Sequence, residues 1–395
     1  MRKRAVVLFG AGASVEYGVA STAALTDVIE EAVLADEWMQ HTGGDKAFVL
    51  VKETIQGYLQ SPKDVQFEQI YHCVHELIYL FGPTKGAVNE FRPLLVPFVD
   101  LRGELTERSL RALAAKIVEV IYSNISSSCA KLPISLDPAI AFFEELRSRY
   151  ITKVYTTNYD DYPLQAAPDL YTGFDVRCSA VPKRFELNEF WNKQDLDSIF
   201  HLHGSVHLGF SRPPSGNEIG ELFWLDDRAE ALKCANFGGS DARRMDGSSF
   251  LRTSIVTGLD KLSRLQLRPM SHYYSALALD MMRTDVIFVI GSGLGDLHLN
   301  TWLQEARTRS PGVPILFVDY WNGDFRSHFE FDYGRKEIEM MHALRIFVGF
   351  HHGYNSCGTA WTLSKSQDAA VWGAGFQNFL NAPDELAEVL ARLKV

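Results

Sequence analysis

Apolar and polar positions along the chain follow two periods, and the change between them divides it. Residues 4–9, RAVVLF, form a short β-rich run that enters GAGAS and then a stretch of helical spacing, the strand-turn-helix opening of a nucleotide-binding α/β unit. From about residue 21 to 150 strand patterning nearly vanishes. Apolar residues recur there at three and four in ALTDVIEEAVL, FEQIYHCVHELIYLF, RSLRALAAKIVEVIY and DPAIAFFEELRSRY, with Pro and Gly between them, which predicts several packed helices. Strands return as ITKVYTT (151–157), SIFHLHG (198–204), VIFVIGSG (286–293) and PILFVDY (314–320), with LRIFVGF (344–350) as an edge or final strand. Helical spacing between the later ones completes an α/β alternation. Residues 209–249, rich in Gly, Ser, Pro and Arg, read as a loop-dominated insertion or lid. The closing PDELAEVLARLKV, with Pro383 and two acids in its first turn, reads as a docked helix. The expected architecture is therefore an α/β core, residues 1–20 and 151–395, interrupted by a helical insertion, residues 21–150.

Composition narrows the partners. The chain has 395 residues, 46% hydrophobic and 22% charged, enough to bury a sizeable core. A net charge of -10 and a pI near 5.7 argue against broad electrostatic binding of nucleic acid or acidic membranes. Cys73, Cys129, Cys178, Cys234 and Cys357 are scattered without a CxxC pair, so neither a zinc site nor a disulfide framework is suggested, and a reducing cytoplasm fits. The start, MRKRAVVLFGAGA, mimics a secretory signal but ends within 13 residues, and its apolar part doubles as a strand. No apolar run reaches membrane length.

Four short motifs follow strands. In GAGAS, Gly10 and Gly12 allow the tight turn and close backbone approach that a pyrophosphate needs, with amides at a helix N-terminus facing the anion. The dehydrogenase fingerprint fails at its third glycine, where Val15 stands; Glu30 and Glu31 lie at the spacing of a ribose-binding acid, but within a helical pattern. In YTTNYDDY, Asn158 can orient a water or a ribose hydroxyl and Asp160 can accept a bond from an amide; an Asn-Asp turn without chemistry explains the same residues. In FHLHGS, His201 and His203 stand two apart, so in a strand both rings would share a face and could reach one ion, together with His207 and either His298 or His351 and His352. The alternative is one base beside one bystander.

GAGAS, TTNYD, LHGS and the glycine turn GSGLGD, in this order and each after an apolar strand, resemble the sirtuin family, whose members cleave NAD. The resemblance covers residues 5–20, 151–207 and 284–320 and is nearest to the bacterial sirtuin-like NAD hydrolases of anti-phage defence. It implies a parallel Rossmann-like sheet of the sirtuin type. It further implies that Asn158 positions the attacking water or ribose, that His203 is the general base with His201 a packing residue, and that Asp160 holds the nicotinamide carboxamide. Gly10, Ala11, Gly12, Ser14 and Thr157 would line the phosphate and ribose site, with Gly291, Ser292 and Asp319 toward the adenosine half, where Asp319 replaces the family's usual Asn. Tyr320 or Trp321 could touch adenine.

Departures from the family's pattern choose among activities. Sirtuin deacylases carry paired CxxC motifs between the LHG histidine and the later glycine turn; here that interval holds only Cys234, so no zinc is expected. The GxPDFR loop is also missing: after Gly18 the chain reads VASTAAL. Water then becomes the expected acceptor, and the expected activity is an NAD glycohydrolase that depletes cellular NAD in anti-phage defence. The resemblance also implies control by self-assembly into a homo-oligomer or by a partner such as a HerA-type ATPase or an Argonaute-type protein. The competing readings are an NAD- or ADP-ribose-binding regulatory module, and a deacylase or ADP-ribosyl transferase.

Overall fold

The computed structural model describes residues 2–59, 65–81, 105–131, 133–174, 182–210, 222–235, 253–259, 261, 268–309, 312–321, 336–349 and 352–395. Its centre is an eight-stranded sheet. In chain order the strands are β1 (Lys3–Phe9), β2 (Tyr150–Thr156), β3 (Ser198–His201), β4 (Leu208–Phe210), β5 (Leu222–Trp224), β6 (Val286–Ile290), β7 (Ile315–Val318), β8 (Tyr354–Cys357), β9 (Trp361–Ser364) and β10 (Ala369–Trp372). The sheet runs β3-β2-β1-β6-β7-β10-β9-β8, parallel from β3 through β10 and antiparallel at the last two strands, while β4 and β5 form a separate ribbon.

The run RAVVLF becomes the sheet's centre because both of its faces are buried. Ala5, Val7 and Phe9 join one apolar cluster, and Val6 and Leu8 join the other, as the two-residue period of a strand requires. The first cluster continues into helices Thr22–Ala35, Gly44–Leu59, Phe67–Phe81, Glu107–Ala130 and Asp137–Arg149, the last of which packs on β2. The second is covered by helices Met270–Arg283 and Leu297–Thr308. Tyr122, on helix Glu107–Ala130, donates to the carbonyls of Leu208 and Ser205 at 2.6 and 3.1 Å and so ties the helical segment to the core. The closing helix, Pro383–Leu393, has Pro at its first turn and buries Leu386, Val389, Leu390 and Leu393.

Two expectations are corrected. The stretch LRIFVGF is not a strand over its described residues, 344–349, although Leu344, Ile346 and Val348 are buried. Its carbonyls are taken by a side chain instead of a ladder: the buried Arg307 guanidinium donates to Leu344 and Arg345, and also to Val313 and Asp368. The strand beside β7 is β10, and the apolar pattern of the sequence does not mark the antiparallel extension β8–β9–β10. Most of the stretch 209–249, and His351, lie outside the described residues. What is described of that stretch holds β5 and helix Arg228–Cys234, so it is not loop throughout.

Candidate active site

The strand order turns back between β1 and β6: β2 and β3 lie to one side of β1, β6 and β7 to the other. Loops leaving the carboxyl ends of strands diverge at such a point and open a crevice. A cavity of about 900 Å³ lies there. Each residue expected to bind NAD or act on it lines this cavity: Gly10, Ala11, Gly12 and Ser14 after β1, Thr157, Asn158 and Asp160 after β2, His203 after β3, Gly291 and Ser292 after β6, and Asp319 after β7. Tyr320 and Trp321 line it too, and helices of the first half add Leu25, Phe67, Glu68 and Ile125.

The floor is two interlocked turns. Gly10 N–H donates to the Ile290 carbonyl and Gly12 N–H to the Gly291 carbonyl, at 2.9 and 2.8 Å. Gly291 has φ +63°, and a Cβ on it would lie 2.0 Å from the Ala13 nitrogen, so only glycine fits. The amides of Ala13 and Ser14 also bond back, to the carbonyls of Gly10 and Ala11. The helix Gly12–Val15 is a single turn. The turn therefore offers a ligand close approach more than the set of free amides its sequence suggests.

Behind the floor, Asn158 Nδ2 donates to the Gly10 carbonyl at 2.8 Å and to Ser14 Oγ at 2.7 Å, and Ser14 Oγ donates to Asp160 Oδ2 at 2.6 Å. Both amide hydrogens of Asn158 are thus committed, and what it has left for a ligand is the Oδ1 acceptor. Burial pushes Asp160 up to about 6, against the opposing bonds from Ser14 and the Tyr162 amide. Burial also raises Asp319 to about 6, with Glu16 adding to it and the Tyr320 amide opposing.

His203 is buried, and its Nε2 has no hydrogen-bond partner. The Thr157 main chain favours the protonated ring, and Nε2 is enclosed by protein without a partner. Burial lowers its pKa to about 3, with Lys261 contributing and Asp296 opposing, so the ring is neutral at physiological pH.

The shared-face argument for His201 and His203 fails because β3 ends at His201 and the chain turns before His203. His201 is absent from the cavity wall; its Nδ1 lies 3.4 Å from the Asn158 carbonyl and burial lowers its pKa to about 4. His207 is engaged at both nitrogens, by the Leu225 carbonyl and by Asp161, each at 2.8 Å. Asp161 also pairs with Arg228 at 2.7 Å; burial opposes ionisation, yet bonds from His207 and Gln165 hold the carboxyl below its ordinary range. Glu30 pairs with Lys52 at 2.5 Å on the helical segment and takes no part in the cavity.

Among the described residues, the grouping of metal-ligand types is instead His203, Asp296 and His298, with donor atoms within 4.8 Å of one another. Lys261 Nζ already stands 3.0 Å from Asp296 Oδ1, placing a cation's charge at the cluster, and Tyr274 O–H is bonded to His298 Nε2 at 2.8 Å. Sequence reasoning singles out neither Asp296, Lys261 nor Glu68. The signal available was Asp296 itself, which follows the glycine turn GSGLG directly. Lys261 sits in a stretch with no pattern to mark it.

Comparison with known proteins gives a coarse placement. Residues 152–334 match the profile of the SIR2-like domain. Solved structures with similarity include a Sir2 homologue in complex with NAD (15% identity, TM-score 0.33, covering 87% of this chain and 89% of that one) and Sir2Tm bound to a propionylated peptide (13%, 0.32, 87% and 92%). A mutant Sir2 homologue in complex with ADP-ribose is similar at 15% identity and TM-score 0.34, covering 87% of this chain and 91% of that one. Superposition at such TM-scores yields no residue-by-residue correspondence. No curated protein sequence matches significantly. Among the described residues no helix is long and apolar enough to cross a membrane.

Proposed function

We propose, from the SIR2-like match and the shared cavity, that this chain binds NAD and hydrolyses it to nicotinamide and ADP-ribose. The observation that carries the reading is the arrangement at the switch point: a glycine floor, Asn158 and His203 all line one cavity of about 900 Å³, large enough for a dinucleotide. In NAD the nicotinamide is already cationic. Cleavage of its bond to ribose C1′ sends the electron pair into the ring, releases a neutral base and leaves an oxocarbenium-like sugar. Little acid assistance is needed; a held ring and a placed nucleophile are. Asn158 Oδ1 would orient water or a ribose hydroxyl by accepting its hydrogen. The His203 imidazole would take the proton as the new C–O bond forms, help typically worth ~100- to 10,000-fold. Asp160 would hold the carboxamide, and Asp319 the adenosine ribose.

On the same reading the enzyme acts as a defence effector in the cytoplasm, depleting NAD, with its activity restrained by self-assembly or by a HerA-type or Argonaute-type partner. The motif resemblance supports this part. The test is nicotinamide release from NAD by purified protein, alone and with the product of its genomic neighbour. Loss of release in both His203→Ala and Asn158→Ala is expected; retention of wild-type turnover in either variant refutes the assignment. The second reading, a binding module without turnover, is favoured by one feature, the low proton affinity of His203 in the ligand-free protein. Tight NAD binding with no nicotinamide released under either condition would establish it.

A further inference from the structure

Where the cavity meets helix Phe67–Phe81, four charged or titratable side chains from separate parts of the chain converge. Asp296 lies beside His203; Lys261 Nζ is 3.0 Å from Asp296 Oδ1 and 3.3 Å from Glu68 Oε1. The backbone that carries Asp296 is fixed on both sides. Its carbonyl accepts from the Leu299 and Asn300 amides at the start of helix Leu297–Thr308, and Asn300 Nδ2 pins the Leu294 carbonyl at 2.7 Å. The backbone beneath the carboxylate is therefore fixed, with a carboxylate oxygen within 4.8 Å of a His203 ring nitrogen.

We propose that Asp296 is a positioning residue for His203, supplying the negative charge that a proton arriving at the imidazole requires, and that Lys261, shared between Asp296 and Glu68, sets how much of that charge His203 feels. The proposal rests on the glycohydrolase reading for its kinetic consequence but not for its electrostatic one. When the ring accepts a proton, an imidazolium forms at a buried side chain that water stabilises poorly. The groups facing it are Lys261 and His298, which oppose the new charge, and Asp296, which favours it; the Thr157 main chain holds the ring. Behind them stand Glu68, the Tyr274 hydroxyl on His298, and the Tyr159 hydroxyl, which donates to the Val256 carbonyl. Glu68 belongs to the helical segment. A shift of helix Phe67–Phe81 that draws Lys261 toward Glu68 would unmask Asp296, and one that removes Glu68 would leave Lys261 wholly on Asp296. The helical segment can thereby strengthen or silence the base through Glu68 and Lys261.

The test uses the full chain with Asp296→Asn, Asp296→Glu and Lys261→Met, each checked for a native far-UV spectrum and melt. The first readout is the NMR titration of the His203 ring in the ligand-free protein, assigned by the resonance lost in His203→Ala. Lys261→Met is expected to move its midpoint upward; no movement overturns the proposal. The second is the pH profile of nicotinamide release. Asp296→Asn is expected to lower kcat by about 10- to 100-fold with little change in KM and to displace the limb assigned to His203, while Asp296→Glu restores part of the rate. A uniform fall in rate with the limb in place would mark Asp296 as merely structural. No nicotinamide release by the wild-type protein under either condition would refute the glycohydrolase reading itself; wild-type turnover in His203→Ala would refute the role given to His203, and an inactive His203→Ala beside a fully active Asp296→Asn would refute only the role given to Asp296.

Discussion

Replacing Asp160 with Asn is expected to stabilise the protein at pH 8, to leave it no more stable than wild type at pH 4.5, and to abolish NAD turnover. Asp160 is buried and its pKa is raised from 3.8 to about 6, chiefly by that burial. At ~1.4 kcal/mol per pH unit the shift corresponds to about 3 kcal/mol. Because the folded pKa lies above the unfolded one, the group's contribution to stability is fully present below pH 3.8 and is lost as pH rises through 6. Above that, folding must bury a charge that the unfolded chain exposes to water. An amide carries no charge at any pH but has one acceptor oxygen in place of two. The variant side chain would have to give up either the 2.6 Å bond from Ser14 or the longer one from the Tyr162 amide, at a cost of about 1 kcal/mol. The net expectation is a gain of about 2 kcal/mol at pH 8 and about zero at pH 4.5, where the unfolded carboxyl is already mostly ionised and about 1 kcal/mol of the shift offsets the lost bond. Paired urea denaturation of the two proteins at both pH values measures it, since other titrating groups cancel in the difference. An increment that does not change sign or size between the two pH values would refute the reasoning, as would a variant less stable than wild type at pH 8.

Two further substitutions separate the floor of the cavity from the body of the fold. Gly291→Ala forces a side chain into a left-handed position with its Cβ 2.0 Å from the Ala13 nitrogen; a loss of about 3 kcal/mol or more is expected, read as a lower melting temperature or as insoluble protein. Arg307→Met strips the donors from the carbonyls of Val313, Leu344, Arg345 and Asp368 and breaks the 3.1 Å pair with the Asp368 carboxylate. It is expected to destabilise by about 3–5 kcal/mol in denaturant titration, while nicotinamide release per folded molecule stays at the wild-type rate because Arg307 is remote from the cavity wall.

The central strands were legible because burial on both faces leaves an unbroken apolar run, as in RAVVLF and VIFVI, and because each ends in a turn of glycine or small polar residues. That is also why GAGAS, TTNYD and LHGS could be placed at one rim before any distance was known. LRIFVGF misled for a related reason: alternating burial reads as a strand, yet its carbonyls are satisfied by Arg307, from a helix about 40 residues earlier in sequence. The period-two argument for the histidine pair failed because periodicity holds only inside a strand, and β3 stops at His201. Lys261 and Glu68 were invisible because ion pairs between distant segments leave no local pattern. Their meaning comes only from the fold that joins them.

The interlocked glycine turns beneath the cavity carry few side chains, so the floor of the pocket has little chemistry that substitution could alter. The opposite wall, formed by Leu25, Phe67, Glu68 and Ile125 on the helices, has ample variety. Change on that wall at Leu25, Phe67 or Ile125 alters the contour of the cavity alone, whereas change at Glu68 also reaches the ion pair with Lys261.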